Sequence, residues 1–101
     1  MVVGIGRVSL AIHESQSLKS KRQVLRSLLD RVRNRFNNVA IAEVGDLDLW
    51  QRATVGFAVV SNERAHANEM ADKIADFIES LGVAEVLDRR VTLESYGEDL
   101  D

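Results

Sequence analysis

Between positions 18 and 36 the chain carries Lys19, Lys21, Arg22, Arg26, Arg31, Arg33 and Arg35 against the single acid Asp30. That segment is +6, so the remainder of a chain whose net charge is -3 must carry -9. Regularly spaced guanidinium and ammonium groups can neutralise successive backbone phosphates and release their counterions. The pattern is therefore read as a phosphate-tracking surface, with RNA as the polymer and Lys19, Lys21, Arg22 and Arg26 as its contacts, Arg33 extending the stripe. The competing reading is a solvated face whose charges keep the protein soluble or meet the acids of a neighbouring helix. An isoelectric point near 5.4 argues against promiscuous nucleic-acid binding, so any such contact is one-sided.

Other residue types hold less chemistry. Gly4 and Gly6 lack the third glycine and the following helix of a nucleotide loop. Glu43, Asp46 and Asp48 could surround a hard cation, but beside Arg52 they read as turn formers and salt-bridge partners. His13 and His66 have no partner at ligand spacing, no serine sits in a glycine-flanked elbow, and the chain has no cysteine. No catalytic residue, metal or cofactor is assigned, and the protein is expected not to be an enzyme.

Two aromatics are singled out as interaction residues. Trp50, the only tryptophan, follows an acidic loop; it is expected to fold back as a lid on the core, with anchoring of a partner protein as the alternative. Phe57 lies in Val55-Gly56-Phe57-Ala58-Val59-Val60, where both alternating sets are apolar. It is expected to be the one aromatic on an exposed sheet face, too few for base stacking but suited to a partner, a second copy being the simplest.

The elements that position these residues follow from periodicity. Val2 to Ile12 takes strand period in its second half, and Ser15, Gln16 and Ser17 supply turn and cap chemistry. Leu18, Leu25, Leu28, Leu29, Val32 and Phe36 then fall within an arc of about 100° and predict a helix over 18–36. On the same wheel Lys19, Arg22, Arg26 and Arg33 lie within about 60° of one another, beside the apolar face. Residues 39–44 and 53–60 are short apolar runs joined by a loop, which predicts a hairpin. Ser61 and Asn62 can cap a second helix over 63–81, with Gly82 at its end and Glu69, Asp72, Asp76 and Glu79 outward. Glu85 to Ser95 closes the pattern as a strand with Leu87, Val91 and Leu93 on one side.

That order, strand, helix, strand, strand, helix, strand, is an α+β fold: a ferredoxin-like βαββαβ sandwich with a four-stranded antiparallel sheet and two helices on one face. The first and third strands should be central and the other face open. At 101 residues and 46% hydrophobic the chain is sized for one domain, over 1–97, with 98–101 a frayed acidic tail. No apolar run reaches the roughly 20 residues of a membrane span, and the apolar N-terminus lacks a charged leader, so a cytoplasmic protein is expected.

Ser17-Leu18-Lys19-Ser20-Lys21-Arg22, Ala42-Glu43-Val44-Gly45 running into Asp48-Leu49-Trp50-Gln51-Arg52-Ala53, and Val59-Val60-Ser61-Asn62 before Ala65-His66-Ala67 together resemble the YlxP-like family of small bacterial proteins. The resemblance spans essentially the whole chain and is most specific around Trp50. It implies a ferredoxin-like fold, a cytoplasmic location, and a gene that in many bacteria neighbours those for a translation initiation factor and a ribosome-binding factor. Together with the +6 helix this gives the leading expectation, a non-enzymatic accessory of translation or ribosome maturation that contacts ribosomal RNA or a ribosomal subunit. The alternative is a homo-oligomeric or protein-binding module, a homodimer among the forms it could take, that buries the open sheet face or pairs strand edges. The family carries no catalytic residues onto this chain.

Overall fold

A computed structural model describes residues 1–97; the acidic tail expected at 98–101 lies outside them. In chain order the elements are β1 (Val2–Ala11), α1 (Leu18–Arg35), β2 (Ala40–Gly45), β3 (Arg52–Ser61), α2 (Arg64–Ser80) and β4 (Glu85–Ser95). Every expected element is present, with ends that differ from the sequence reading by no more than one residue. Ser17 caps α1, its Oγ accepting the Ser20 amide at 3.0 Å, which satisfies one of the free N–H groups of the first turn. α2 begins after Glu63, whose amide donates to Ser61 Oγ, and ends just before Gly82, whose φ of 67° suits a residue without a Cβ.

The four strands form one antiparallel sheet in the order β2-β3-β1-β4, with both helices on one face. That face buries Val2, Val8 and Leu10 of β1, Ala53, Val55, Phe57 and Val59 of β3 and Ile41 of β2 beneath Leu25, Leu28 and Val32 of α1 and Ala71, Ile74 and Ile78 of α2. Phe36 and Phe77 meet edge to face, centroids 5.6 Å apart, where the two helices come together.

Phe57 corrects one expectation. It is only 3% exposed and points under the helices, its ring lying over Gly6 on the neighbouring strand. A Cβ on Gly6 would sit 2.0 Å from the ring's Cζ, so the aromatic occupies the space that any other residue at position 6 would fill. Gly56, Ala58 and Val60 lie on the open face, in line with Arg52 and Thr54 at the start of β3. Over residues 55–60 alternation could not decide this, because both sets there are apolar; Arg52 and Thr54, which share a face with Gly56, carried the signal that this set faces outward.

β4 departs from simple alternation. Its pairing with β1 shifts between Ser9 and Leu10, a bulge that sets Val86 opposite Leu10 and Arg89 opposite Val8. Val86 packs against the core while Leu87, expected inside, is exposed. Arg89, on the same side of β4 as Val91 and Leu93, rises toward α2, donating to Asp76 Oδ1 at 2.8 Å and Glu79 Oε2 at 3.2 Å. The Asp76 hydrogen bond leads the effects that hold its proton even more firmly than usual. Part of the acidic stripe of α2 is thus spent on β4.

Candidate functional site

On α1, Lys19, Arg22, Arg26 and Arg33 are exposed along one flank, as their shared wheel position requires. Arg33 identifies that flank as the one beside β2: its Nη2 donates to Ile41 O at 2.9 Å, and its Nη1 lies 3.5 Å from Asp30 Oδ1. Among the described residues, Lys19, Arg22 and Arg26 enter no ion pair or side-chain hydrogen bond.

Lys21 is not on that surface, and its assignment as an RNA contact is corrected. Its side chain is fully buried. Nζ donates to the carbonyls of Asp46 at 2.9 Å, Leu47 at 3.1 Å and Arg52 at 3.3 Å, and lies 2.9 Å from Glu43 Oε2. An ammonium has three protons, and three carbonyls take them. Glu43 Oε2, buried and without a hydrogen-bond partner, is held by charge alone. The wheel carried the signal: at 100° per residue Lys21 falls in the middle of the apolar arc defined by Leu25, Leu28 and Val32.

Lys21 builds the β2–β3 loop. Asp46 adopts φ 60°, which aspartate tolerates, its carbonyl accepts the Leu49 amide at 3.1 Å, and its Oδ2 accepts the Thr54 hydroxyl at 3.1 Å. Gln51 ties the loop to the end of β1, donating from Nε2 to His13 O and Ser15 O and accepting the Ile12 amide on its carbonyl. Asp46 and Glu43 therefore serve as turn former and ion-pair partner, though Glu43 meets Lys21 and not Arg52. With its main chain held this way, the loop turns Leu47, Leu49 and Trp50 outward, Trp50 being 56% exposed. The lid expected of Trp50 is absent; its rings face solvent.

The open sheet face is apolar at its centre. Register sets Ala40, Ala58, Ile5 and Thr92 in one row across the strands, and Ala42, Gly56, Arg7 and Arg90 in the next. Ile5 is 40%, Val60 46% and Val44 57% exposed, and Val44 leans over Gly56, where an added Cβ would meet it at 3.1 Å. Toward β4 the face turns polar, with Arg7, Asp88, Arg90 and Glu94; Arg7 Nη2 and Asp88 Oδ2 are 3.9 Å apart.

A groove of about 820 Å³ opens between the first half of α1, the end of β1 and the α2–β4 turn, lined by Ile12, Val24 and Ala84 with Ser20, His13 and Glu85. The β1–β4 pairing brings His13 Nε2 to 3.2 Å from Glu85 Oε1, a partnership that 72 positions of separation hid from spacing arguments. Among the described residues no three His, Asp or Glu side chains gather as metal ligands. No helix among them is long and apolar enough to cross a membrane.

Strand order and helix placement define a ferredoxin-like α+β domain. Two designed proteins are similar to it: Foldit4, with a TM-score of 0.55 and 12% identity over 96% of this chain and all of that one, and LFR1 1, described with a ferredoxin fold, with a TM-score of 0.54 and 15% identity over 97% and 89%. At such identities the likeness concerns fold alone. The chain belongs to the YlxP-like family, described as "Protein of unknown function (DUF503)", whose profile matches residues 3–91. It is 39% identical over 79 residues to the uncharacterized protein YlxP of Bacillus subtilis (strain 168), covering 78% of this chain and 85% of that protein.

Proposed function

We propose that this protein is a non-enzymatic, cytoplasmic module that self-associates through the open face of its sheet. The observation that carries the reading is the apolar centre of that face, where Ile5, Val60 and Val44 stand exposed over a floor of Ala40, Ala42, Gly56 and Ala58. A sheet that faces water normally alternates apolar inside with polar outside, and β3 does not over residues 55–60. Contiguous apolar surface of this kind marks an interface.

A second copy is favoured as the occupant by the rim. Arg7 and Arg90 stand with Asp88 and Glu94, two charges of each sign, and a two-fold contact needs a surface complementary to itself. Sedimentation velocity across a concentration series tests this. A dimer in the wild type and a folded monomer for Ile5→Glu with Val60→Glu are expected; a wild type that stays monomeric at high concentration overturns it.

A second reading, an accessory of translation or ribosome maturation touching RNA, retains Lys19, Arg22 and Arg26, loses Lys21 to the interior and finds Arg33 already engaged. Binding to ribosomal subunits across a salt series, with Arg22→Glu and Arg26→Glu alongside, tests it: a steep salt slope abolished by the charge reversal is the expected result.

A further inference from the structure

The two edges of the sheet differ in kind. β4 protects its edge with Glu85, Asp88, Arg89, Arg90 and Glu94, whereas β2, Ala-Ile-Ala-Glu-Val-Gly over residues 40–45, has Glu43 as its single charge, and that charge is turned inward to Lys21. Charged side chains are the usual device that keeps a free strand edge from pairing. β2 lacks it.

Two side-chain bonds show which backbone groups that edge offers. Asn38 Nδ2 donates to Val60 O at 2.6 Å, which places the even residues of β3 with their main-chain groups toward β2, where Ala58 and Gly56 face Ala40 and Ala42. Ile41 O, taken by Arg33, points the opposite way. In an antiparallel ladder the N–H and C=O of one residue share a side and successive residues alternate. Ile41 and Glu43 therefore present N–H and C=O outward, and one of these four groups is covered by the half-exposed Arg33 side chain.

The flank of α1 above this edge decides what strand can pair there. Lys19, Arg22, Arg26 and Arg33 share it. If a second copy added its own β2 antiparallel, both helices would lie on the same side of the joined sheet and the two basic flanks would face each other, a like-charge arrangement that opposes association. A strand bearing carboxylates at alternate positions would meet the same flank with opposite charge. We infer that the β2 edge is a docking site for an extended acidic segment of another protein, added as a fifth strand. Arg33 leaves Ile41 O to an incoming N–H and turns to a carboxylate; Arg26 and Arg22 meet the acids at the following positions on the helix-facing side. Small apolar residues on the other side of the segment would continue the open face beyond Ala40 and Ala42.

The test uses the full chain and a synthetic peptide alternating Glu and Val, its Lys and Val counterpart, an alternately N-methylated copy of the acidic peptide, and a single-stranded RNA of mixed sequence. Binding is followed by fluorescence anisotropy and by amide shifts of the ¹⁵N-labelled protein. The acidic peptide should bind, shift the Ile41 and Glu43 amides, weaken about tenfold or more with Arg22→Glu and Arg26→Glu, and lose binding when N-methylated. No binding by the acidic peptide, equal binding by the lysine peptide, or binding indifferent to N-methylation overturns the inference. RNA that binds the same arginines and leaves the Ile41 and Glu43 amides unmoved, while the peptide fails, assigns the flank to nucleic acid. These readouts are local to β2 and do not depend on whether the open face dimerises.

Discussion

Lys21 Nζ and Glu43 Oε2 lie 2.9 Å apart between α1 and β2, the lysine side chain fully buried and the carboxylate oxygen without a hydrogen bond. Lys21 donates instead to two carbonyls of the loop that displays Trp50, those of Asp46 and Leu47, and to that of Arg52 where β3 begins. The pair and the loop are one unit.

Removing either partner leaves the other as an uncompensated buried charge. Lys21→Met should destabilise the fold by about 3–5 kcal/mol and free the loop. Urea unfolding measures the first effect, and faster hydrogen exchange at Leu49, whose amide donates to Asp46 O, reports the second. Combining it with Glu43→Leu should cost less than the two single changes added, since each single change strands its partner; full additivity would mean the two charges do not interact.

The ring of Phe57 occupies the space above Gly6. Gly6→Ala forces a Cβ to within 2.0 Å of that ring and should cost about 1–3 kcal/mol, as overpacked cores do. Phe57→Leu in the same chain should recover part of the loss, because the shorter side chain vacates the contact. Thermal unfolding of the two single variants and the double variant decides it.

Trp50 contributes surface. Trp50→Ala should change stability by less than about 0.5 kcal/mol. The wild-type tryptophan emission should be quenched by iodide in the folded monomer nearly as well as in urea. Strong protection from iodide in the monomer would restore the lid.

Glu69 carries a pH signature. A hydrogen bond from Lys73, with Nζ 2.8 Å from Oε1, and then the lysine's charge hold its carboxyl below the ordinary glutamate value. A depressed carboxylate contributes its small stabilisation in full above the unfolded value and loses it as pH falls through the folded one. Carbon-detected NMR titration should show the lowered midpoint, and Lys73→Met should return it to the ordinary range.

The succession of elements was legible because it rests on local periodicity. Helical residues three and four apart, strand residues two apart, the Ser17 cap and the glycine after α2 all report on neighbours in the chain. The exposed flank of Lys19, Arg22, Arg26 and Arg33 was legible for the same reason, and so was the placing of Lys21 inside the apolar arc, had its angle been weighed above its charge.

Tertiary structure alone decided the rest. Whether Phe57 or Val60 met the helices could not be told within residues 55–60, where the alternation is apolar on both sides. The bulge opposite Ser9 and Leu10 shifted the start of β4 by one residue, which exposed Leu87 and turned Val86 to the core, and α2 supplied the carboxylates that Arg89 meets. Lys21 found its carbonyls 25 to 31 positions away, and His13 its carboxylate 72 positions away. Periodicity is a property of neighbours in the chain, whereas each of these outcomes depends on which distant strand or loop the fold sets beside the residue, and only pairing across the sheet supplies that.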